Sequence, residues 1–370
     1  MKFYAPLFLA SLFVAAQCFY VPEEWLKKHG YNVKKNTSSR HLHGKNRINP
    51  KKSGGDVIPV GPFSDDFTQW LETAGYADYN FPSLHLGINA SYGGKEFKDQ
   101  ELKHNPVIFI HGNSDGALDD GTEFSSGFSA TIKYFLSKGY TSAELYAVTW
   151  GDRKLDKSFT RIHSCATLKR LRKFVEAVME YTNVEQVDII AHSMGVTLAR
   201  QIIKGGAVLD LTEICELGRT IKYNVKTFLG IAAANYGLCM CDIDTATKLP
   251  VCGVRVGFFP GSSCKKHEDS SVSCASATKQ DKCEPSYSHI LMGINGDIPE
   301  FFGSMVREGE NIFSFWSEED EIVGSNSVWG RKTSFIPLSN GFKVFPNMKH
   351  HQLKTDTVAE QYKAIVECTV

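Results

Sequence analysis

Residues 187 to 199, VDIIAHSMGVTLA, decide how the rest of the chain is read. VDII has the length and β-branching of a buried strand, and VTLARQIIK (196–204) spaces its apolar residues as a helix does. Between them stand Ala191, His192, Ser193, Met194 and Gly195. A strand that enters a helix this abruptly turns sharply, and a sharp turn needs small neighbours. Gly195 has no Cβ and lets the two backbones approach, while Ala191 has only a methyl. This is the pattern of a nucleophile elbow, a strained turn that holds a serine hydroxyl exposed above a sheet. The usual spelling begins with glycine, so Ala191 departs from it.

The flanks repeat one alternation. HNPVIFIHG (104–112) reads as a buried strand, FSATIKYFLSKGY (128–140) as a helix and AELYAVTW (143–150) as a strand. TLKRLRKFVEAVMEY (167–181) is an amphipathic helix with Leu168, Leu171, Val175 and Val178 on one stripe. VKTFLGIAAAN (225–235) and ENIFSFWSEED (310–320) supply two more strands, and GPFSDDFTQWLETAGY (61–76) opens the ordered region with a helix capped near Ser64. Strands alternating with helices predict an α/β fold built on a mostly parallel sheet.

Composition narrows the function classes. The 41 basic and 41 acidic side chains cancel, so no global field favours nucleic acid or membrane, and 42% hydrophobic residues are ample for a core. MKFYAPLFLASLFVAAQC (1–18) carries one Lys before a short apolar run ending in small residues. It reads as a signal peptide cleaved after Ala16 or Cys18. No later apolar run reaches the ~18 residues of a membrane span, so the expected product is secreted and extracellular. The sequons at Asn36 and Asn89 are compatible with that route. Residues 19–55 form an extension whose stretch 32–55 is basic, free of acid and poor in apolar residues, a solvated linker by composition. The catalytic domain is expected over 56–370.

Cys239, Cys241, Cys252, Cys264, Cys274 and Cys283 crowd together, with Cys165, Cys215 and Cys368 elsewhere. In an oxidising compartment the crowd predicts a disulfide-stapled insertion over 236–290, and the spacing does not choose the pairing. Zinc is the rival, but no His stands at ligand spacing from Cys239 and Cys241. The insertion leaves a strand at its carboxyl end, where parallel sheets bind ligands, so a cap beside the site is expected. Val254, Val256, Phe258 and Phe259 are its apolar bulk.

Ser193 needs partners. Backbone amides for a developing oxyanion come from the residue after the nucleophile and from the loop after an earlier strand, which nominates Met194 and Asn113. A base and an orienting carboxylate must also fall at strand ends, in the order serine, acid, histidine. NIFSFW runs into Glu318, Glu319, Asp320 and Glu321, and FKVF is followed by His350 and His351. Position alone chooses neither member, and Asp297 is a further candidate acid. His192 is expected to pack or bond locally, and His111 and His163 to be structural. HExxH is absent and no compact carboxylate cluster appears, so neither a metal nor an organic cofactor is expected.

HNPVIFIHGNSDGA (104–117), ELYAVTWGD (144–152), VEQVDIIAHSMG (184–195), FLGIAAAN (228–235), SEEDEIVG (317–324) and KHHQL (349–353) together resemble the class 2 triacylglycerol lipase family. Its small bacterial members spell the elbow with Ala, and its secreted, cysteine-containing nematode relatives look closer still. The resemblance runs from about residue 56 to the end and implies an α/β-hydrolase fold. It implies Ser193 as nucleophile, Asp320 as acid and His350 as base, with oxyanion amides at Asn113 and Met194. The expected activity is hydrolysis of lipid carboxylic esters through an acyl-serine intermediate, at a lipid–water interface. A catalytically silent lipid-binding relative and an esterase or thioesterase of soluble esters are the alternatives. The long cysteine-rich insertion departs from the minimal bacterial enzymes.

Overall fold

The computed structural model describes residues 57–122, 124–261, 287–297, 307–324, 327–328 and 331–370. The leader, the basic stretch 32–55, Asn36, Cys264, Cys274 and Cys283 lie outside the described residues.

The main sheet has seven strands: β1 (Ser91–Tyr92), β2 (Val107–Ile110), β3 (Leu145–Val148), β4 (Val187–His192), β5 (Val225–Ile231), β6 (Asn311–Ser317) and β7 (Gly341–Phe345). Their spatial order is β1-β3-β2-β4-β5-β6-β7. All pairs are parallel except β1 with β3. VIFI, LYAV and VDIIAH are buried along their whole lengths, as strands covered on both faces must be. Among the described residues the α-helices are α1 (Asp65–Thr73), α2 (Ser129–Ser137), α3 (Cys165–Thr182), α4 (Met194–Lys204), α5 (Ile243–Lys248), α6 (His289–Asn295), α7 (Gln352–Thr355) and α8 (Val358–Val366). The expected stripe of α3 is its core face: Leu168, Leu171, Val175 and Val178 are buried. The Ser64 hydroxyl caps α1 by accepting from the Phe67 amide at 3.2 Å.

The sequence reading singled out neither β1 nor two small ribbons, 207–209 with 214–216 and 327–328 with 331–332. Each is two or three residues per strand, too short for its hydrophobic alternation to register.

Two disulfides join described residues and fasten the frame. Cys241 is bonded to Cys252 within the insertion, and Cys165 at the start of α3 is bonded to Cys215 on the first ribbon. Cys239 is disulfide-bonded as well, which leaves none of these three insertion thiols for zinc, and among the described residues Cys368 is a free thiol. The Cys165–Cys215 link closes a loop with a sequence separation of 50. In the chain-entropy account such a loop contributes about 4 kcal/mol. Cys165→Ala/Cys215→Ala is therefore expected to lose about 2–4 kcal/mol in urea unfolding. A loss below about 0.5 kcal/mol would mean that the reduced chain already keeps the ribbon in place.

The described part of the insertion packs close to the helix that begins after Ser193. His163 reaches the Val256 carbonyl through Nδ1 at 2.8 Å and the Thr197 hydroxyl of α4 through Nε2 at 2.6 Å. Phe258 packs edge-on against the His163 ring at 5.0 Å and is buried, as is Val256, whereas Val254 is exposed and Phe259 is half-buried. Phe258 thus holds the insertion to the body. The sequon at Asn89 is built into the fold: its side-chain amide donates to the Asp119 carbonyl at 2.6 Å, and Ser91 is buried in β1. Among the described residues no helix is long and apolar enough to cross a membrane.

Candidate active site

Because β2, β4, β5, β6 and β7 are parallel, their carboxyl ends share one edge. Ser193 stands there, at the junction of β4 and α4, with φ 54° and ψ −128°. A non-glycine residue rarely adopts a positive φ, which costs on the order of 1–3 kcal/mol and persists only where the surroundings enforce it. Here the Ser193 amide donates to the Ile231 carbonyl at 2.8 Å, and the Val196 amide donates to the Ser193 carbonyl at 3.0 Å.

The small neighbours have a measurable reason. A Cβ on Gly195 would lie 2.4 Å from the carbonyl oxygens of both Ile110 and His111, and backbone cannot swing aside. Gly195→Ala is expected to cost about 3 kcal/mol, the upper end for overpacking, read as a fall in unfolding temperature. An unchanged melting curve would show that the start of α4 can move away from the end of β2 at no cost. A Cβ on Gly112 would lie 2.8 Å from the Ser193 Cβ, so the loop after β2 runs hard against the serine.

That loop carries Asn113. Its side chain is anchored, donating to the Ser158 carbonyl at 2.8 Å and accepting from Arg161 at 2.8 Å. Met194 is the first residue of α4, where N–H groups have no acceptor within the helix and the helix dipole favours negative charge.

On the other side, His350 Nδ1 donates to Asp320 Oδ2 at 2.8 Å, and both side chains are buried. Asp320 Oδ1 accepts from the amides of Ile322 and Val323, each at 2.9 Å. Burial pushes the Asp320 carboxyl up, but the His350 charge, the His350 hydrogen bond and the two amides outweigh it and hold it below the usual range. An ionised Asp320 keeps the His350 proton on Nδ1 and leaves Nε2 as the basic nitrogen.

The competing residues are engaged elsewhere. Glu319 accepts from the Ser317 hydroxyl at 3.0 Å and the Asn347 amide at 3.1 Å. Asp297 pairs with Arg331 at 2.8 Å and accepts from the Tyr287 hydroxyl. The His351 ring is held neutral, its pKa lowered to about 3 chiefly by burial and then by the His350 charge. His192 Nε2 donates to the His350 carbonyl at 3.1 Å, which draws the His350 segment against the residue preceding Ser193. Burial, first of all, holds His192 well below the ordinary range. His111 is structural: Nδ1 donates to the Gly112 carbonyl at 2.7 Å and Nε2 accepts from the Trp150 amide at 3.0 Å.

Three polar residues at this edge escaped the sequence reading. Arg161 grips Asn113 and Ser114, and Asp115 pairs with Lys354 in the interior. Arginine and lysine are ordinarily exposed, so nothing local marks these as buried or partnered. Among the described residues Cys165, Asp210 and Glu213 could approach a metal ion, but the Cys165 sulfur is already bonded to Cys215.

A seven-stranded, mostly parallel sheet with a strained serine turn after β4, and a hydrogen-bonded aspartate and histidine after β6 and β7, defines an α/β hydrolase. The pattern of the family Lipase (class 2) matches residues 104–363, and the chain belongs to that family of lipase/esterase-type hydrolases. Similar solved structures include Aspergillus fumigatus lipase B, at 14% identity over 83% of this chain and 55% of that chain, with a TM-score of 0.39. Mouse alpha/beta hydrolase domain-containing protein 10 matches at 14% identity over 73% and 93%, TM-score 0.36. A Paleococcus ferrophilus monoacylglycerol lipase matches at 13% over 73% and 98%, TM-score 0.36. The chain spans about half the length of the Aspergillus protein, and TM-scores this low place no residue of one chain on a residue of another.

Proposed function

We propose that the protein is a secreted carboxylic ester hydrolase of triacylglycerol-lipase type, working through an acyl-serine intermediate. The observation that carries this reading is the buried Asp320–His350 hydrogen bond beside the strained turn of Ser193. In the proposed reaction the Ser193 hydroxyl attacks the ester carbonyl while His350 Nε2 takes its proton. The main-chain amides of Asn113 and Met194 meet the charge that develops on the carbonyl oxygen. His350 then protonates the departing alcohol, and water attacks the acyl-serine by the same route in reverse. Ionised Asp320 holds the imidazole tautomer and steadies the imidazolium. Lipid esters presented at a lipid–water interface are the proposed substrates.

A fluorophosphonate should label wild-type protein at Ser193, and no label should appear on Ser193→Ala. Labelling elsewhere, or none in wild type, would end this reading. The oxidised pairs Cys165–Cys215 and Cys241–Cys252 support secretion, because disulfides persist in oxidising compartments. Mass analysis of protein from conditioned medium should find an N-terminus at residue 17 or 19.

The insertion is proposed to shape the acyl site. Since Phe258 packs inward on His163, the half-buried Phe259 is the better probe. Phe259→Ser should lower turnover of long-chain glycerides about 10-fold, the value of losing roughly 1.5 kcal/mol of apolar contact, and spare butyrate esters. Equal loss on both would place Phe259 away from the acyl chain.

A further inference from the structure

Asp115 and Lys354 are both about 1% exposed and form an ion pair across a sequence separation of 239. Asp115 lies in the loop after β2, just beyond Asn113 and Ser114; Lys354 lies in α7, which begins directly after His350 and His351. The Asp115 carboxylate is fully satisfied: Oδ1 accepts from the amides of Gly116 at 2.8 Å and Gly127 at 2.9 Å, and Oδ2 accepts from Lys354 Nζ. The ammonium also sits over the Phe128 ring, 5.6 Å from its centre. The main chain of Lys354 is tied in turn, its amide donating to the His351 carbonyl at 3.1 Å and its carbonyl accepting from Gln361 at 2.7 Å.

Stability is a poor explanation for such a pair. Removing two charges from water costs about as much as their mutual attraction returns, and a well-packed apolar pair of similar volume is often as stable. An ion pair supplies something an apolar pair does not, a directional bond that fixes one backbone segment against another. The segments joined here are the one bearing the Asn113 amide and the one bearing His350. A proton acceptor and an oxyanion donor must keep their mutual distance while charge builds between them. A misplacement of ~1 Å costs about 100-fold in rate.

We propose that Asp115 and Lys354 are positioning residues for ester hydrolysis, a buried latch that sets the loop of Asn113 against the segment of His350. The proposal rests on the reading of Ser193, His350 and Asn113 given above. The test uses Asp115→Asn, Lys354→Met and the double variant, each assayed for kcat and KM on p-nitrophenyl butyrate and titrated with a fluorophosphonate. Asp115→Asn is nearly isosteric and keeps an oxygen for the two amides, but it turns its NH₂ towards the Lys354 ammonium, so it breaks the latch with little change of volume. Each single variant is expected to lose about 100-fold in kcat, with KM within about threefold. Because the pair acts as a unit, the double variant is expected to lose no more than the worse single one. Titration counts the folded, reactive sites, so a loss that merely reflects unfolding does not enter kcat per site. A titratable variant with kcat within about threefold of wild type overturns the proposal, as does a loss confined to KM or multiplied in the double variant. Failure of wild-type Ser193 to label overturns the proposed function and this inference with it, whereas normal labelling with unaffected kcat in the variants overturns this inference alone.

Discussion

Ser193→Ala is expected to lower kcat on a soluble ester by about 10⁴- to 10⁶-fold, and His350→Ala to do nearly the same. Nucleophile and base act in one step, so Ser193→Ala/His350→Ala should be hardly worse than either alone. Asp320→Asn should cost about 10⁴-fold for a reason visible in the hydrogen bonds. Asp320 Oδ1 accepts from the amides of Ile322 and Val323, and Oδ2 faces His350 Nδ1. An asparagine there keeps its oxygen on the two amides and turns its NH₂ towards Nδ1. His350 must then accept at Nδ1 and carry its proton on Nε2, the nitrogen required as the base. The fold should survive, since the turn over 320–323 keeps its acceptor. Near-normal turnover by Asp320→Asn together with inactivity of Glu319→Gln would move the acid by one residue.

Stability should fall steeply between pH 6 and pH 5, by about 4 kcal/mol per unit. Burial, the largest cause in each case, lowers His111 to about 3, His163 to about 4 and His351 to about 3, and holds His192 well below the ordinary value. In the unfolded chain these imidazoles titrate near 6.5. Below that pH the unfolded state takes up protons that the folded state refuses, so stability present above pH 6.5 is lost as pH falls. Buried Asp188 acts in the opposite sense. Burial raises it to about 7, so it is protonated in the fold while ionised in the unfolded chain, and it contributes stability at low pH that fades as pH rises through 7. Four histidines against one aspartic acid leave a net difference of about three protons, each worth about 1.4 kcal/mol per pH unit. Typical domains hold only about 5–15 kcal/mol, so one unit of pH should remove a large share. Asp115 and Asp320, both held low, add their loss in the same direction at more acid pH, beyond this window. Urea midpoints at pH 7, 6 and 5 measure the slope. Equal midpoints across that range would mean that the four imidazoles reach solvent.

The sequence by itself determined the longer strands and helices and the elbow. Strand and helix periodicities are local, and the turn at Ser193 demands small residues that stand next to it in the chain: Ala191 and Gly195 are legible because the constraint acts over neighbouring positions. Balanced charge and crowded cysteines are compositional and equally readable. The choice of acid and base was not local. Among Glu318, Glu319, Asp320 and Glu321, and between His350 and His351, residue type gives no preference, and resemblance to a family was needed to point at Asp320 and His350. The folded chain separates them physically, because the amides of Ile322 and Val323 aim the Asp320 carboxylate at His350 while Glu319 turns to Ser317 and Asn347. The Cys165–Cys215 link and the Asp115–Lys354 pair were invisible for the same reason at longer range. Their partners stand 50 and 239 positions apart and meet only in the folded chain. A lysine read in one dimension is a solvated charge, and only tertiary packing, by excluding water around a carboxylate that faces it, makes it part of an interior.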